Sequence, residues 1–185
     1  MPDQSIKITK AAHIKEIKDL LKQSGENLLV DFNLAIAAAE KAKNISLQYF
    51  YTQELADCLK QLSHCYSYVS DYGKVMQSAL DAMELYKTCN DFKGEADCLN
   101  ILGGVYNFLQ DYNKRLECNL KCLELRKKAN DEKGQISSYN NIGDTYTVMG
   151  DYENALKYFK LCLTFELDIH MKAIVYYNIG EVHYF

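Results

Sequence analysis

Asp71-Tyr72, Asp111-Tyr112 and Asp151-Tyr152 stand 40 residues apart, and the match around them runs through whole units. Cys58, Leu62, Tyr66, Ala82 and Leu85 recur as Cys98, Leu102, Tyr106, Cys122 and Leu125. Ile142, Tyr146, Cys162 and Phe165 continue the series. A fixed period of this kind marks a stacked repeat architecture, in which each unit buries its apolar face against its neighbours. Function is then to be sought on the surface the stack creates, not in a pocket within one unit.

The unit from Phe92 to Asp131 reads as two helices. Ala96, Leu99, Leu102, Val105 and Tyr106 fall at spacings of three and four, which gives one apolar helical face. Gln110-Asp111 interrupts it, and Asp111 is suited to accept a hydrogen bond from a free backbone N–H of the next helix. Leu116, Leu120, Leu123 and Leu125 supply a second stripe. Lys127-Lys128-Ala129-Asn130-Asp131 closes it, with the lysines at the negative end of the helix dipole. Gly103, Gly143 and Gly180, with Ser63, share one small site; Ala82, Cys122 and Cys162 share another. Tyr66, Tyr106, Tyr146 and His183 occupy the complementary large site. Close helix approach at the small sites offsets the cost of about 1 kcal/mol for glycine in a helix interior.

Composition narrows the function classes. Apolar residues make up 48% of the 185, enough for a core, and a single proline leaves long stretches free for helix. No alternating Val/Ile/Thr runs support strands. A net charge of −4 argues against nucleic-acid binding, which needs a basic face. No apolar run approaches the roughly 20 residues of a membrane span, and Met1-Pro-Asp-Gln-Ser-Ile-Lys7 lacks a signal-peptide apolar stretch. Seven cysteines, an odd number placed inside helical patterns, fit a reduced cytoplasmic chain.

The stretch Tyr139-Asn-Asn-Ile-Gly-Asp-Thr-Tyr146, then Gly150-Asp-Tyr-Glu-Asn-Ala155, then Phe159 and Cys162, resembles the tetratricopeptide repeat (TPR) family. The resemblance covers residues 50–185, and more weakly 25–46. It implies an all-α, TPR-like α-solenoid, a right-handed superhelix of antiparallel helix pairs. The units are 40 residues long where the family's usual period is about 34. The family's closing proline is replaced by Asn-Asp or its equivalent, followed in the middle units by Lys93-Gly94 and Lys133-Gly134. Longer units of this kind are similar to those of Pins-type spindle-orientation adaptors and of bacterial sensor-kinase and cyclase input regions.

The ends are less regular. Lys10–Gln23 predicts a short amphipathic helix, broken at Ser24-Gly25, and Leu28–Lys43 a second one with Leu34, Ala35, Ala38 and Ala42 on a small-residue face. Residues 1–48 are thus expected as a degenerate helix pair capping the stack. Residues 49–185 then hold three full repeats, about 50–90, 91–130 and 131–170, plus the first helix of a fourth. In that helix Tyr176-Tyr-Asn-Ile-Gly180 matches Tyr139-Asn-Asn-Ile-Gly143 at a spacing of 37. Its apolar face and its ending, Glu181-Val-His-Tyr-Phe185, carry no polar cap. The expectation is an N-terminal piece of a longer protein, with a kinase or cyclase output suggested by the resemblance. The alternative is a homodimer through this helix.

For chemistry, Cys118 and Cys122 share a helix face, but Cys122 aligns with Ala82 and Cys162, so packing is the reading preferred to metal binding. Cys58 and Cys98 repeat one another, and none of His13, His64, His170 and His183 stands in a Cys/His pattern. Gly103-Gly104 and Gly143 are packing sites, not a phosphate loop. No catalytic residue, metal or cofactor is therefore expected. A thiol- or metal-dependent enzyme would need Cys118/Cys122 or His64 to be functional.

The TPR resemblance implies that the first helix of each unit lines an inner groove. This places Lys60, His64 and Tyr68 there, then Asn100 and Asn107, then Asn140, Asn141 and Asp144, and last Tyr177, Asn178 and Glu181. Asparagine carries both donor and acceptor and can hold a peptide backbone; neighbouring aromatics supply apolar anchors. The family's clamp for a chaperone carboxylate is matched only at Lys60, its other basic sites carrying Ser137 and Asn141. The expected function is non-catalytic peptide or protein binding. The setting is either the regulatory or sensing region of a larger, bacterial-type signalling protein or a free-standing adaptor.

Overall fold

The computed structural model describes residues 2–184, with side chains from residue 9 onward. Met1 and Phe185, at the outer ends of the expected segments, lie outside the described residues. The described elements are all helices: α1 (Pro2–Asn27), α2 (Phe32–Gln48), α3 (Thr52–Tyr68), α4 (Tyr72–Thr88), α5 (Phe92–Phe108), α6 (Tyr112–Lys128), α7 (Glu132–Val148), α8 (Tyr152–Cys162) and α9 (Ile169–Tyr184). By contacts the chain forms two compact units, Met1–Ile101 and Leu102–Phe185, divided within α5.

One turn recurs. Helices α2 to α7 are each 17 residues long and are separated by three residues. The middle residue of each break is left-handed: Phe50, Ser70, Asn90, Gln110, Asn130 and Gly150, with φ between 51° and 77°. The residues around it turn back on the helix just ended. Ser70 N donates to Ser67 O at 3.1 Å and Asp71 N to Tyr66 O at 3.0 Å, and the same two bonds recur at residues 90/91, 110/111, 130/131 and 150/151. These are the paired hydrogen bonds that close a helix over a left-handed residue.

The aspartate that follows then starts the next helix. Oδ1 of Asp71, Asp91, Asp111, Asp131 and Asp151 accepts from the backbone N–H of Lys74, Gly94, Lys114, Gly134 and Asn154. Lys74 and Lys114 also pair with their aspartates at 3.0 Å and lie over the rings of Tyr66 and Tyr106. The repeated Asp of the Asp-Tyr pairs is thus a helix cap.

In the first unit α1 packs on α2 and α3, α2 on α3, and α3 on α4. Ile17, Ala42 and Cys58 form one core with Leu20, Leu21, Ile45 and Tyr51 around it; Ala56, Ala82, Tyr86 and Cys98 form another. Here the structure departs from the sequence expectation. Ser24-Gly25 does not break α1, which runs on to Asn27. Ser24 is buried at a close approach, 3.4 Å from Cys65 Sγ, with Gln61 Nε2 donating to its hydroxyl at 3.1 Å. The break comes before Asp31, whose carboxylate accepts from Asn33 N and Leu34 N. Helix α2 buries Ala35, Ala38, Ala39 and Ala42 but turns Leu34 outward, 54% exposed.

In the second unit α7 packs on α6, α8 and α9, and α8 on α9. Ile142, Ala155, Phe159, Cys162, Val175 and Val182 lie in its core. The small sites work as expected at Gly143, where an added Cβ would fall 2.6 Å from the Phe159 ring, and at Gly103, 3.1 Å from Asn119 Oδ1. They do not at α9: a Cβ on Gly180 meets nothing within 4 Å, and His183 is exposed instead of filling the tyrosine site. Helix α8 ends early, and residues 163–168 are irregular, with Leu167 buried. Asp168 then caps α9 through Met171 N at 2.8 Å, only 37 residues after Asp131.

The Lys-Gly pairs gain a physical reason. A Cβ on Gly94 would stand 2.4 Å from the Tyr86 ring, and one on Gly134 2.4 Å from Arg126 Cδ. Gly94→Ala is expected to cost about 1–3 kcal/mol by overpacking. At Gly104, where a Cβ meets nothing within 4 Å, alanine should stabilise by about 0.5–1 kcal/mol. Urea unfolding of the two variants beside the parent measures both signs.

Candidate functional site

The expected inner-face residues sit on α3, α5, α7 and α9, spaced so that each helix presents them on one side. In the first unit, Lys60 is not a free cation. Its Nζ lies 3.0 Å from Asp97 Oδ2 and 5.4 Å from the centre of the Tyr86 ring. Tyr86 donates its hydroxyl to Asp57 Oδ1 at 2.6 Å, and Gln53 Nε2 donates to Asp91 Oδ2 at 2.8 Å. Burial is the main influence on the Asp57 carboxyl and raises its pKa against the opposing pull of Tyr86 and Lys60. Burial raises the Tyr86 phenol too, with the Asp57 hydrogen bond next. His64 has an exposed surface but is set among packed neighbours; that desolvation, with Lys60 second, lowers its pKa. Tyr68 is half-exposed with its ring 5.9 Å from that of Phe32, and Asn100 is exposed on α5.

In the second unit, the structure brings candidates together. Asn178 Nδ2 of α9 donates to Asn140 Oδ1 of α7 at 2.9 Å, and both residues are half-buried. Tyr177, 65% exposed, donates its hydroxyl to Glu181 at 3.0 Å. Asn107 and Asp144 meet through a residue the sequence reading missed. Arg115 of α6 donates from Nη1 to Asn107 Oδ1 at 2.8 Å and from Nη2 to the Asp144 carboxylate. Asn119, one turn on, donates to Thr145 Oγ1 at 3.0 Å and to the backbone carbonyl of Asn141 at 3.3 Å. Arg115 and Asn119 are both buried, so two polar side chains of a second helix brace the candidate face of α7. The available signal was their i, i+4 spacing on the side of α6 that also carries Cys118 and Cys122.

The seven cysteines are free thiols; Cys89 alone is not buried. Burial pushes the thiols of Cys58, Cys118 and Cys162 up to about 11 and that of Cys98 to about 12. Cys122 Sγ lies 3.5 Å from Ser138 Oγ, at the packing site the repeats assign to it. Among the described residues no group of three or more His, Cys, Asp or Glu is placed to hold a metal, and no helix is long and apolar enough to cross a membrane.

Residues 95–165 match the family model for the tetratricopeptide repeat, so the resemblance holds over that stretch. No curated protein sequence matches the chain. Among solved structures, the apo form of RapI is 21% identical, with a TM-score of 0.78 over 91% of this chain. This chain spans 63% of that one's length. A putative kinesin light chain of nearly identical TPR-like repeats from Podosopora anserina is 8% identical, with a TM-score of 0.75 over 91% of this chain and 85% of its own. MamA protein is 17% identical, with a TM-score of 0.61 over 92% of this chain and 82% of its own. At these identities the likeness establishes the fold, the all-α, TPR-like α-solenoid class expected from the sequence.

Two outcomes follow from this geometry. Arg115→Met leaves Asn107 and Asp144 without their shared donor and should cost about 2–3 kcal/mol in urea unfolding. Iodoacetamide at pH 8 should modify Cys89 of the folded chain first. Mass spectrometry that finds Cys58 or Cys98 labelled as fast would contradict the packing read here.

Proposed function

We propose that the chain is a non-catalytic module that holds a peptide or protein segment, with candidate contacts on α3 in the first unit and on α7 and α9 in the second. The observation that carries this reading is the Asn140–Asn178 pair. Their hydrogen bond uses one donor of Asn178 and one acceptor of Asn140. Each amide keeps the opposite function, so the pair offers a donor beside an acceptor, the complement of a peptide group. Tyr177 stands next to it as an apolar anchor, and Arg115 holds Asn107 and Asp144 in place on the neighbouring helices. Such an arrangement positions hydrogen-bonding groups but supplies no activated nucleophile.

The finer parts of the proposal rest on the sequence. Residues 1–48 serve as a degenerate cap, and α3/α4, α5/α6 and α7/α8 as three full repeats followed by the first helix of a fourth. The setting is the sensing or regulatory region of a signalling protein, supported by the resemblance in repeat length. The location proposed is the cytoplasm, supported by an odd number of cysteines set inside helical patterns, and the net charge of −4 disfavours nucleic acid. Self-association through α9, where Ile169, Tyr176, Tyr177 and Tyr184 are exposed, would show as concentration-dependent light scattering.

The test uses peptides selected from a displayed library on the parent chain. Replacing Asn141 and Asn178 together by alanine should weaken their binding by about 1–3 kcal/mol. Helical content by circular dichroism should stay unchanged. Full-strength binding by the double variant would overturn the groove reading.

A further inference from the structure

Positions 86 and 126 are equivalent, near the ends of α4 and α6, and Gly94 and Gly134 are equivalent near the starts of α5 and α7. Tyr86 fills its site with a ring packed among Ala56, Ala82 and Cys98, across Gly94, and with its hydroxyl on Asp57. Arg126 fills the next one across Gly134, with Nη1 2.5 Å from Asp131 Oδ2. Asp131 therefore uses both oxygens: Oδ1 for the backbone of Gly134, Oδ2 for the arginine.

The third site has the same frame and no plug. Its large residue is Glu166, which lies exposed in the irregular segment after α8, and its glycine is replaced by Met171. The capping aspartate is Asp168, whose Oδ1 accepts from Met171 N, while no described residue donates to Oδ2. A cleft of about 290 Å³ remains. Ile136, Leu167 and Met171 line it as an apolar floor, and Lys133, Glu166 and Asp168 stand at its lip. Two carboxylates face one ammonium there, so the lip carries a net negative charge.

We propose that this cleft is an anchor pocket for an arginine side chain of the bound peptide. Its stem lies over Ile136, Leu167 and Met171, and its guanidinium takes the free oxygen of Asp168 together with Glu166. The chain supplies its own precedent in Arg126, which is seated against Asp131 in the equivalent place. The lip's charge selects arginine over the neutral tyrosine that fills the first site. A guanidinium also pairs with carboxylates in a fixed fork, which an ammonium cannot do. The inference rests on the peptide-binding reading above and adds to it a residue preference.

The probe is N-acetyl-argininamide, titrated into the whole chain and followed by backbone amide chemical shifts. A single side chain supplies little binding energy, so saturation is expected only at millimolar concentrations. Shifts should be confined to residues 133–137 and 166–171. They should be lost in Glu166→Lys and, independently, in Ser137→Tyr, which blocks the cleft. N-acetyl-norleucinamide, which has the stem without the charge, should give no saturable shifts. Absent or scattered shifts, or shifts that survive both substitutions, would overturn the pocket. Library peptides that still bind in an Asn141- and Asn178-dependent manner would then leave the groove reading standing. Argininamide binding that persists in the Asn141→Ala/Asn178→Ala variant would support the pocket on its own.

Discussion

The three-residue turn with its left-handed middle residue is the constraint on which the rest depends. It ends one helix with two backbone hydrogen bonds and hands the next its aspartate cap. Because it recurs every 20 residues, successive helices are equally long and side chains 40 apart meet equivalent surroundings. A 17-residue helix is about 25 Å long, or nearly five turns. One residue more or fewer would rotate the following face by about 100° and break the register of small and large sites. Five of the six left-handed residues are not glycine. Asn90 and Asn130 adopt this conformation readily, whereas Phe50, Ser70 and Gln110 each carry about 1 kcal/mol or more of backbone strain, sustained by the packing on either side.

The break in this rhythm is as informative as the rhythm. The entry to α9 is three residues short, and the chain absorbs the loss by ending α8 at Cys162 and running irregularly to Asp168. The capping aspartate keeps its role, but the side chain that should lie across the start of the next helix does not. The shorter entry thus goes with an opening lined by Ile136, Leu167 and Met171.

Much of this was legible in the sequence, and what was not has physical causes. The large and small sites were readable because helix contact restricts volume strictly: Ala82, Cys122 and Cys162 are all buried. The capping aspartates were readable because few residue types can do that work. The 20-residue turn was hidden, since Phe50, Ser70, Asn90, Gln110, Asn130 and Gly150 share a backbone angle and no chemistry. Ser24-Gly25 signalled a break that tertiary packing overrides, with Ser24 held between α1 and α3. Lys60 was placed correctly on α3, but its charge belongs to Asp97, a partner 37 residues away that no local pattern reveals. Arg115 and Asn119 lie on the second helix of their unit, where the stripe of leucines dominates the sequence pattern. Buried between neighbours, they do as much for the candidate face as the residues displayed on it.

A chain built from near-copies faces a particular hazard during folding, since a helix can dock one repeat out of place at little apparent penalty. The side chains that lie across the repeat junctions work against this. The series Ser46, Tyr86, Arg126, Glu166 is matched by Glu54, Gly94, Gly134 and Met171. If α4 took the place of α2, the Tyr86 ring would stand where the small Ser46 side chain is buried beside Cys58. Gly94 leaves room that the Tyr86 ring fills and a serine would not, so a helix docked one repeat out of place loses packing at the junction.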